Sequence, residues 1–133
     1  MTVSKVKYLN SNVESFEAIF TYNLDDSPSL SVTSEEFSVT AEGTDIFDSF
    51  DKIRNKLENI TFICFGAHKY CYPSGMCRSM GNGLLVYYLE MGIKPDRNSI
   101  RRIFDFNENE SEALCVPTSH EQKVYLDEWL KSC

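Results

Sequence analysis

The sequence predicts an α+β fold: one domain, with an antiparallel β-sheet and about three helices packed on it. Three observations predict it. Short runs alternating apolar and polar residues fill the chain up to Ala41. A strongly amphipathic run follows from Asp45. The remaining runs read strand, helix, strand pair and helix, joined by short connections, so strands and helices are segregated rather than strictly alternating. A length of 133 residues suits one domain, and 42% hydrophobic residues with 13% aromatics suffice for a core.

Val3 to Leu9 reads as the first strand, with Val6 and Tyr8 on one side. Phe16, Ala18, Phe20 and Tyr22 then alternate with Glu17, Ile19 and Thr21, which predicts a half-buried strand with an aromatic face. Leu24 to Ser29 is a turn by composition. Leu30 to Thr33 and Phe37 to Ala41 are two further strands, broken at Ser34-Glu35-Glu36. The short connections make this an antiparallel meander.

After Gly43, Thr44 is placed to cap a helix beginning at Asp45. Ile46, Phe47, Phe50, Ile53, Leu57 and Ile60 share its apolar face. Asp45 and Asp48 suit the positive end of the helix dipole, and Lys52, Arg54 and Lys56 lie further along. Ile60 to Phe65 is apolar on both sides and reads as a central strand. A loop follows, and Ser74 caps a second helix. That helix is expected to run to Gly92, with a core stripe of Met76, Met80, Leu84, Tyr87 and Met91. Gly81-Asn82-Gly83 lies inside it. It is read as close packing on the sheet, or else as a break between two shorter helices.

Ser99 to Phe106 contains a strand, Asn107 to Glu112 a polar turn, and Ala113 to Val116 the returning strand. Pro117 ends it. Thr118-Ser119-His120-Glu121 has the form of a capping box before a last helix, whose Tyr125, Leu126, Trp129 and Leu130 are expected to face inward.

No run of about 18 apolar residues is present, so no membrane span is expected. The start, MTVSKVKYLN, lacks the apolar segment of a secretory signal. The expectation is a cytoplasmic protein. The five cysteines, Cys64, Cys71, Cys77, Cys115 and Cys133, are an odd set that fits reduced thiols better than a disulfide framework.

Net charge is −7, which argues against nucleic acid and anionic membranes as partners. Its distribution says more. From Tyr8 to Asp51 there are ten acids and no Lys or Arg, while the rest of the chain is slightly positive. One reading is a solvated surface that keeps the protein soluble. The other is an acidic face for a basic partner. Asp25, Asp26, Glu35 and Glu36 are the first candidates for that face because they sit in turns. Glu108, Glu110 and Glu112 form a second acidic turn and are the competing choice.

No complete catalytic motif is present, and no enzyme activity, cofactor or metal is expected. The alternative is a zinc or thiol protein using Cys64, His68, Cys71 and Cys77. Their intervening gaps of three, two and five residues are irregular for a zinc site. A nucleophile–base pair of Cys71 or Cys77 with His68 lacks an evident orienting carboxylate. The only other histidine, His120, falls in a cap region. Tyr72 to Met76 leads into a helix start, but without a phosphate-binding glycine motif it reads as a cap.

The second half of the chain resembles the immunity proteins of contact-dependent growth inhibition and related polymorphic toxin systems of bacteria. Phe65-Gly66-Ala67, Tyr72-Pro73-Ser74-Gly75-Met76, Met80-Gly81-Asn82-Gly83 with Tyr87 following, and Glu121-Gln122 ahead of Trp129 carry the resemblance. It implies a cytoplasmic protein that binds and neutralises a cognate toxin domain, often a nuclease. Nuclease toxins tend to be basic because they hold phosphates. An acidic partner would be steered to such a surface by its field. Toxin-contacting residues vary among these proteins, so the resemblance assigns none here.

Overall fold

The computed structural model describes residues 2–132, so Cys133 lies outside the described residues. The α+β expectation holds: the chain forms a five-stranded antiparallel sheet, a small three-stranded sheet and three α-helices.

β1 (Thr2–Leu9), β2 (Ser15–Asn23), β3 (Ser29–Thr33) and β4 (Ser38–Glu42) form the predicted meander. Its register pairs Tyr8 with Phe16, Phe20 with Val32, and Leu30 with Ala41. This places Val6, Tyr8, Ala18, Phe20, Leu30, Val32 and Ala41 on one buried face, as the period of two requires. The opposite face is mostly polar: Ser31 and Thr40 are cross-strand partners whose hydroxyls lie 2.9 Å apart.

α1 (Ile46–Lys56) covers the buried face with Ile46, Phe47, Phe50 and Ile53. Its cap is Asp45 rather than Thr44: the Asp45 carboxylate accepts from Asp48 N–H at 2.7 Å. Thr44 N–H instead donates to Asp48 Oδ2 at 2.9 Å. Both residues are capping types, and the helix starts one residue later than composition suggests.

β5 (Thr61–Ile63) is shorter than expected and lies at an edge, in the order β4-β3-β2-β1-β5. It is apolar on both sides because another segment covers that edge, with Phe65 N–H donating to Asp105 O at 2.8 Å. The same segment brings Phe104 into the core. Phe20, Phe50, Phe62 and Phe104 contact one another with ring centroids 4.8 to 5.8 Å apart.

β6 (Cys71–Tyr72) precedes α2 (Gly75–Gly81), which Ser74 caps as expected. α2 ends at Gly81, eleven residues before the Gly92 stop that the sequence suggests. Asn82 adopts the left-handed conformation, Gly83 follows at φ +71°, and the chain turns into β7 (Leu85–Tyr88). Gly81-Asn82-Gly83 therefore separates a helix from a strand rather than two helices. The apolar Met stripe does not form: Met76 is 71% exposed and Met80 80%. A Cβ on Gly83 would lie 2.9 Å from Phe47 N, so α1 and this turn meet backbone to backbone. Ile46 N–H donates to Asn82 O at 2.8 Å, and Arg78 Nε donates to Asp45 Oδ2 at 2.8 Å.

β8 (Ile100–Arg102) completes the second sheet, in the order β6-β7-β8. It is much shorter than the predicted run to Phe106, because Ile103 and Phe104 leave the ladder to enter the core. Residues Glu112–Leu114 form a 3₁₀ turn instead of a returning strand. Cys115 keeps a single bridge to His68.

α3 (His120–Ser132) closes the chain. Its inward stripe differs from the expected one. Leu130 is 58% exposed, and Gln122 is the residue buried along this helix. Gln122, Tyr125, Trp129 and Ser132 fall at heptad-like spacing, and all four bond to other elements or the loop before β8. Tyr125 Oη donates to Leu89 O at 2.7 Å and Trp129 Nε1 to Glu90 O at 2.8 Å. Gly92 N–H donates to Ser132 Oγ at 2.8 Å.

Candidate functional site

The meander separates the four acids first proposed for a partner face. Asp25 and Asp26 lie in the β2–β3 turn, beside the pair Asn23 and Ser29. Glu35 and Glu36 lie in the β3–β4 turn, beside Thr33 and Ser38. β3 joins these opposite ends, and five residues at about 3.4 Å each put the turns roughly 15 Å apart. The register brings a different acid to Asp25 and Asp26: Glu42 pairs with Ser29 at that end of the sheet and is exposed.

The acids also differ in what they already bind. The carboxylates of Asp25, Asp26, Glu35 and Glu108 are exposed and make no hydrogen bond or ion pair among the described residues. Glu36 is engaged: its carboxylate takes the Tyr8 hydroxyl at 2.9 Å and Asn10 Nδ2 at 3.4 Å. Tyr8 is buried in the core, and this carboxylate shares the satisfaction of its phenol with Ser34 Oγ at 3.0 Å. Burial, more than Glu36, raises the pKa of that phenol.

Glu112 pairs with Lys7 on β1. Glu110 Oε2 lies 3.5 Å from Nε2 of the fully buried His68. His68 Nδ1 accepts Tyr70 N–H at 3.1 Å, so in the neutral ring the proton sits on Nε2 and faces Glu110. Burial lowers the His68 pKa, and Glu110 opposes this. The second acidic turn is therefore partly committed to holding the chain together.

The cysteine–histidine set is structural in its surroundings. Cys64, Cys71 and Cys115 are buried, while Cys77 on α2 is partly exposed. Burial pushes the Cys64 thiol up to about 12 and the Cys115 thiol up to about 11. It raises the Cys71 thiol as well. Burial keeps these sulfurs as thiols at neutral pH, the form in which they are poor nucleophiles. Among the described residues, no three His, Cys, Asp or Glu side chains converge where they could hold a metal ion.

A buried, multiply bonded polar group is one that composition did not single out. Arg54, on the buried side of α1, is 2% exposed. Its Nη1 donates to Gln122 Oε1 at 2.8 Å and its Nη2 to Val116 O at 2.9 Å. Its guanidinium lies 5.0 Å from the Phe50 ring centroid. Burial lowers its pKa to about 10, which still leaves it charged at neutral pH. Its signal was positional: Arg54 stands four residues after Phe50 and seven after Phe47, on the apolar stripe.

The residues that carried the resemblance fall mainly at junctions between elements. A Cβ on Gly66 would lie 2.5 Å from Ile103 Cγ1. Tyr72 packs on Phe47 with centroids 5.2 Å apart. Gln122 Nε2 reaches the carbonyls of Gly66, His68 and Cys71 at 2.9, 3.0 and 3.0 Å. Among the described residues, no helix is long and apolar enough to cross a membrane. No family model and no curated protein matches the chain.

Proposed function

We propose that this protein is an immunity-type inhibitor that binds a basic toxin domain, and that Asp25, Asp26 and Glu42 lead the contact. The observation that carries the reading is the base-free stretch from Tyr8 to Asp51 together with the unpartnered carboxylates at one end of its sheet. Glu36, Glu110 and Glu112 are weaker candidates because each already has a partner within the chain. Carboxylates without internal partners lose less on meeting a cation from outside. They also act at a distance, speeding association at low ionic strength. Catalysis is not part of the proposal: the buried thiols are protonated, and His68 is enclosed with Glu110.

The test uses the toxin domain encoded beside this gene. A large secreted protein with a variable C-terminal domain is expected immediately upstream. Asp25→Lys, Asp26→Lys and Glu42→Lys together should slow association about tenfold or more at low salt and flatten its salt dependence. Folding should change little, since exposed substitutions usually cost within about 0.5 kcal/mol each. Unchanged association, with binding lost instead on Glu35→Lys and Glu108→Lys, would reject this face.

A further inference from the structure

The strongest unassigned feature lies away from the acidic meander, where β6, β7 and α3 meet. A groove of about 430 Å³ is lined by Tyr70, Tyr88, Leu89, Glu90, Met91 and Tyr125. Its walls are aromatic and apolar, and Glu90 is the only charged side chain among them. The rings are held in place. Tyr70 and Tyr125 stand 4.5 Å apart between centroids, and Tyr88 meets Tyr70 edge-on at 6.2 Å. The Tyr125 hydroxyl is tied to Leu89 O, and Trp129 Nε1 fixes Glu90 O. A second groove of about 490 Å³ shares Tyr70 and Tyr125 and is lined by Lys69 and His120 as well as Glu121 and Glu128. Burial first, then Tyr70 and the charges of Glu90 and Glu128, raise the Tyr125 pKa. Arg101 lies over the Tyr88 ring at 5.7 Å from its centroid, which leaves Tyr70 and Tyr125 as the rings beside Glu90 that carry no cation of this chain among the described residues.

We propose that this tyrosine groove receives an arginine side chain of a protein partner, with the guanidinium over the rings and paired with Glu90. Aromatic faces attract cations, arginine most often, and a nearby carboxylate supplies the counter-charge. An anionic group would be repelled by Glu90, and an uncharged one would gain nothing from its charge. Tyrosine and arginine anchors also supply much of the energy at protein interfaces, which long-range steering does not. The choice of a protein as the bearer of that arginine rests on the proposed inhibitor function; the chemistry of the groove does not.

The groove is tested on the full chain with N-acetyl-arginine amide, using N-acetyl-citrulline amide as its neutral control. Saturable NMR shifts at Tyr70, Tyr88, Tyr125 and Met91 are expected with the arginine probe in the millimolar range. The citrulline probe, and the arginine probe against Glu90→Gln, should each bind about fivefold or more weakly. Glu90 is exposed, so Glu90→Gln should melt as the parent does. Tyr125→Phe keeps the ring and should retain most of the binding. Shifts that are absent, that map instead to the Asp25 end of the sheet, or that are equal for the two probes would overturn the proposal. Equal binding by Glu90→Gln would overturn it too. None of these outcomes depends on the charge-reversal result, so the two ideas fail separately.

Discussion

Arg54 on α1 and Gln122 on α3 are 68 residues apart in sequence and 2.8 Å apart from Nη1 to Oε1. The amide can face only one way. Oε1 must meet the guanidinium, and the amide hydrogens are then shared among three carbonyls. Gln122→Leu fills similar space but takes one donor from each of those carbonyls and strands one guanidinium donor, although Gly66 O keeps Arg54 Nη1 and His68 O keeps Cys71 N–H. It should cost roughly 3 kcal/mol in urea denaturation. Arg54→Met should cost a similar amount, and the double variant clearly less than the sum, because each single change orphans the other's partners. Additive losses would mean that the two side chains act independently.

Gly81 and Gly83 should respond in opposite directions to alanine. Gly81 is the last residue of α2, and nothing lies within 4 Å of its would-be Cβ. Gly81→Ala should stabilise by about 0.5–1 kcal/mol. Gly83 has φ +71°, and its Cβ would press on the backbone of Phe47. Gly83→Ala should destabilise by roughly 2 kcal/mol or more. Melting temperatures of the two variants settle the order.

His68 should impose a pH slope on stability. Its folded pKa is depressed, chiefly by burial, so the unfolded chain takes up the proton first as pH falls. The contribution is fully present above the unfolded value of about 6.5 and is lost as pH drops from there toward the lower folded value. The charged groups near the ring are Glu110, which faces it, and Arg101, whose guanidinium lies over the neighbouring Phe65 and Tyr88 rings. Buried Cys115 and the partly buried Tyr70 and Tyr88 also border it. Urea midpoints between pH 7.5 and 5 should fall less steeply in His68→Phe than in the parent, by at most about 1.4 kcal/mol per pH unit. Parallel pH profiles would show that His68 takes no part.

Cysteine accessibility gives a fourth test. In a Cys133→Ser background, iodoacetamide at neutral pH should modify Cys77 first. Cys64, Cys71 and Cys115 should react only when the protein unfolds, being buried and held as thiols. Early labelling of any of those three, read by mass spectrometry, would contradict their placement.

The meander and α1 were legible because their apolar periods of 2 and 3.6 are uninterrupted. Tyr8, Phe20 and Phe50 each lie where those periods put them. The region after Ser74 was not. Met76, Met80, Leu84, Tyr87 and Met91 fit a helical stripe, yet Leu84-Leu85-Val86-Tyr87-Tyr88 is equally a strand-forming run. Asn82 and Gly83 decide between them by adopting positive φ, a helix stop that both residue types permit. The edge position of β5 depends on which distant segment covers it, and local pattern carries no such information. The acids were legible as a set, but their division between two ends of the sheet emerges only from the register of β3. Arg54 and Gln122 both stand on otherwise apolar stripes, but a contact between residues 68 apart leaves no local pattern to read.

The manner in which α3 is attached has a thermodynamic consequence. Its links at Gln122, Tyr125, Trp129 and Ser132 are mainly polar, while Val124 and Leu130 remain exposed. A helix fastened by bonds that water can replace belongs to the least protected cooperative unit of a protein. Sub-global opening should peel α3 away as one piece, and its amides should exchange with deuterium before those of β1 to β3. Tyr125 leaves with it, so the open form loses the tyrosine groove. A guest that binds only the closed form would then suppress the opening in proportion to its occupancy. Slower amide exchange across the whole of α3 would report the binding of a partner that touches only one turn of it.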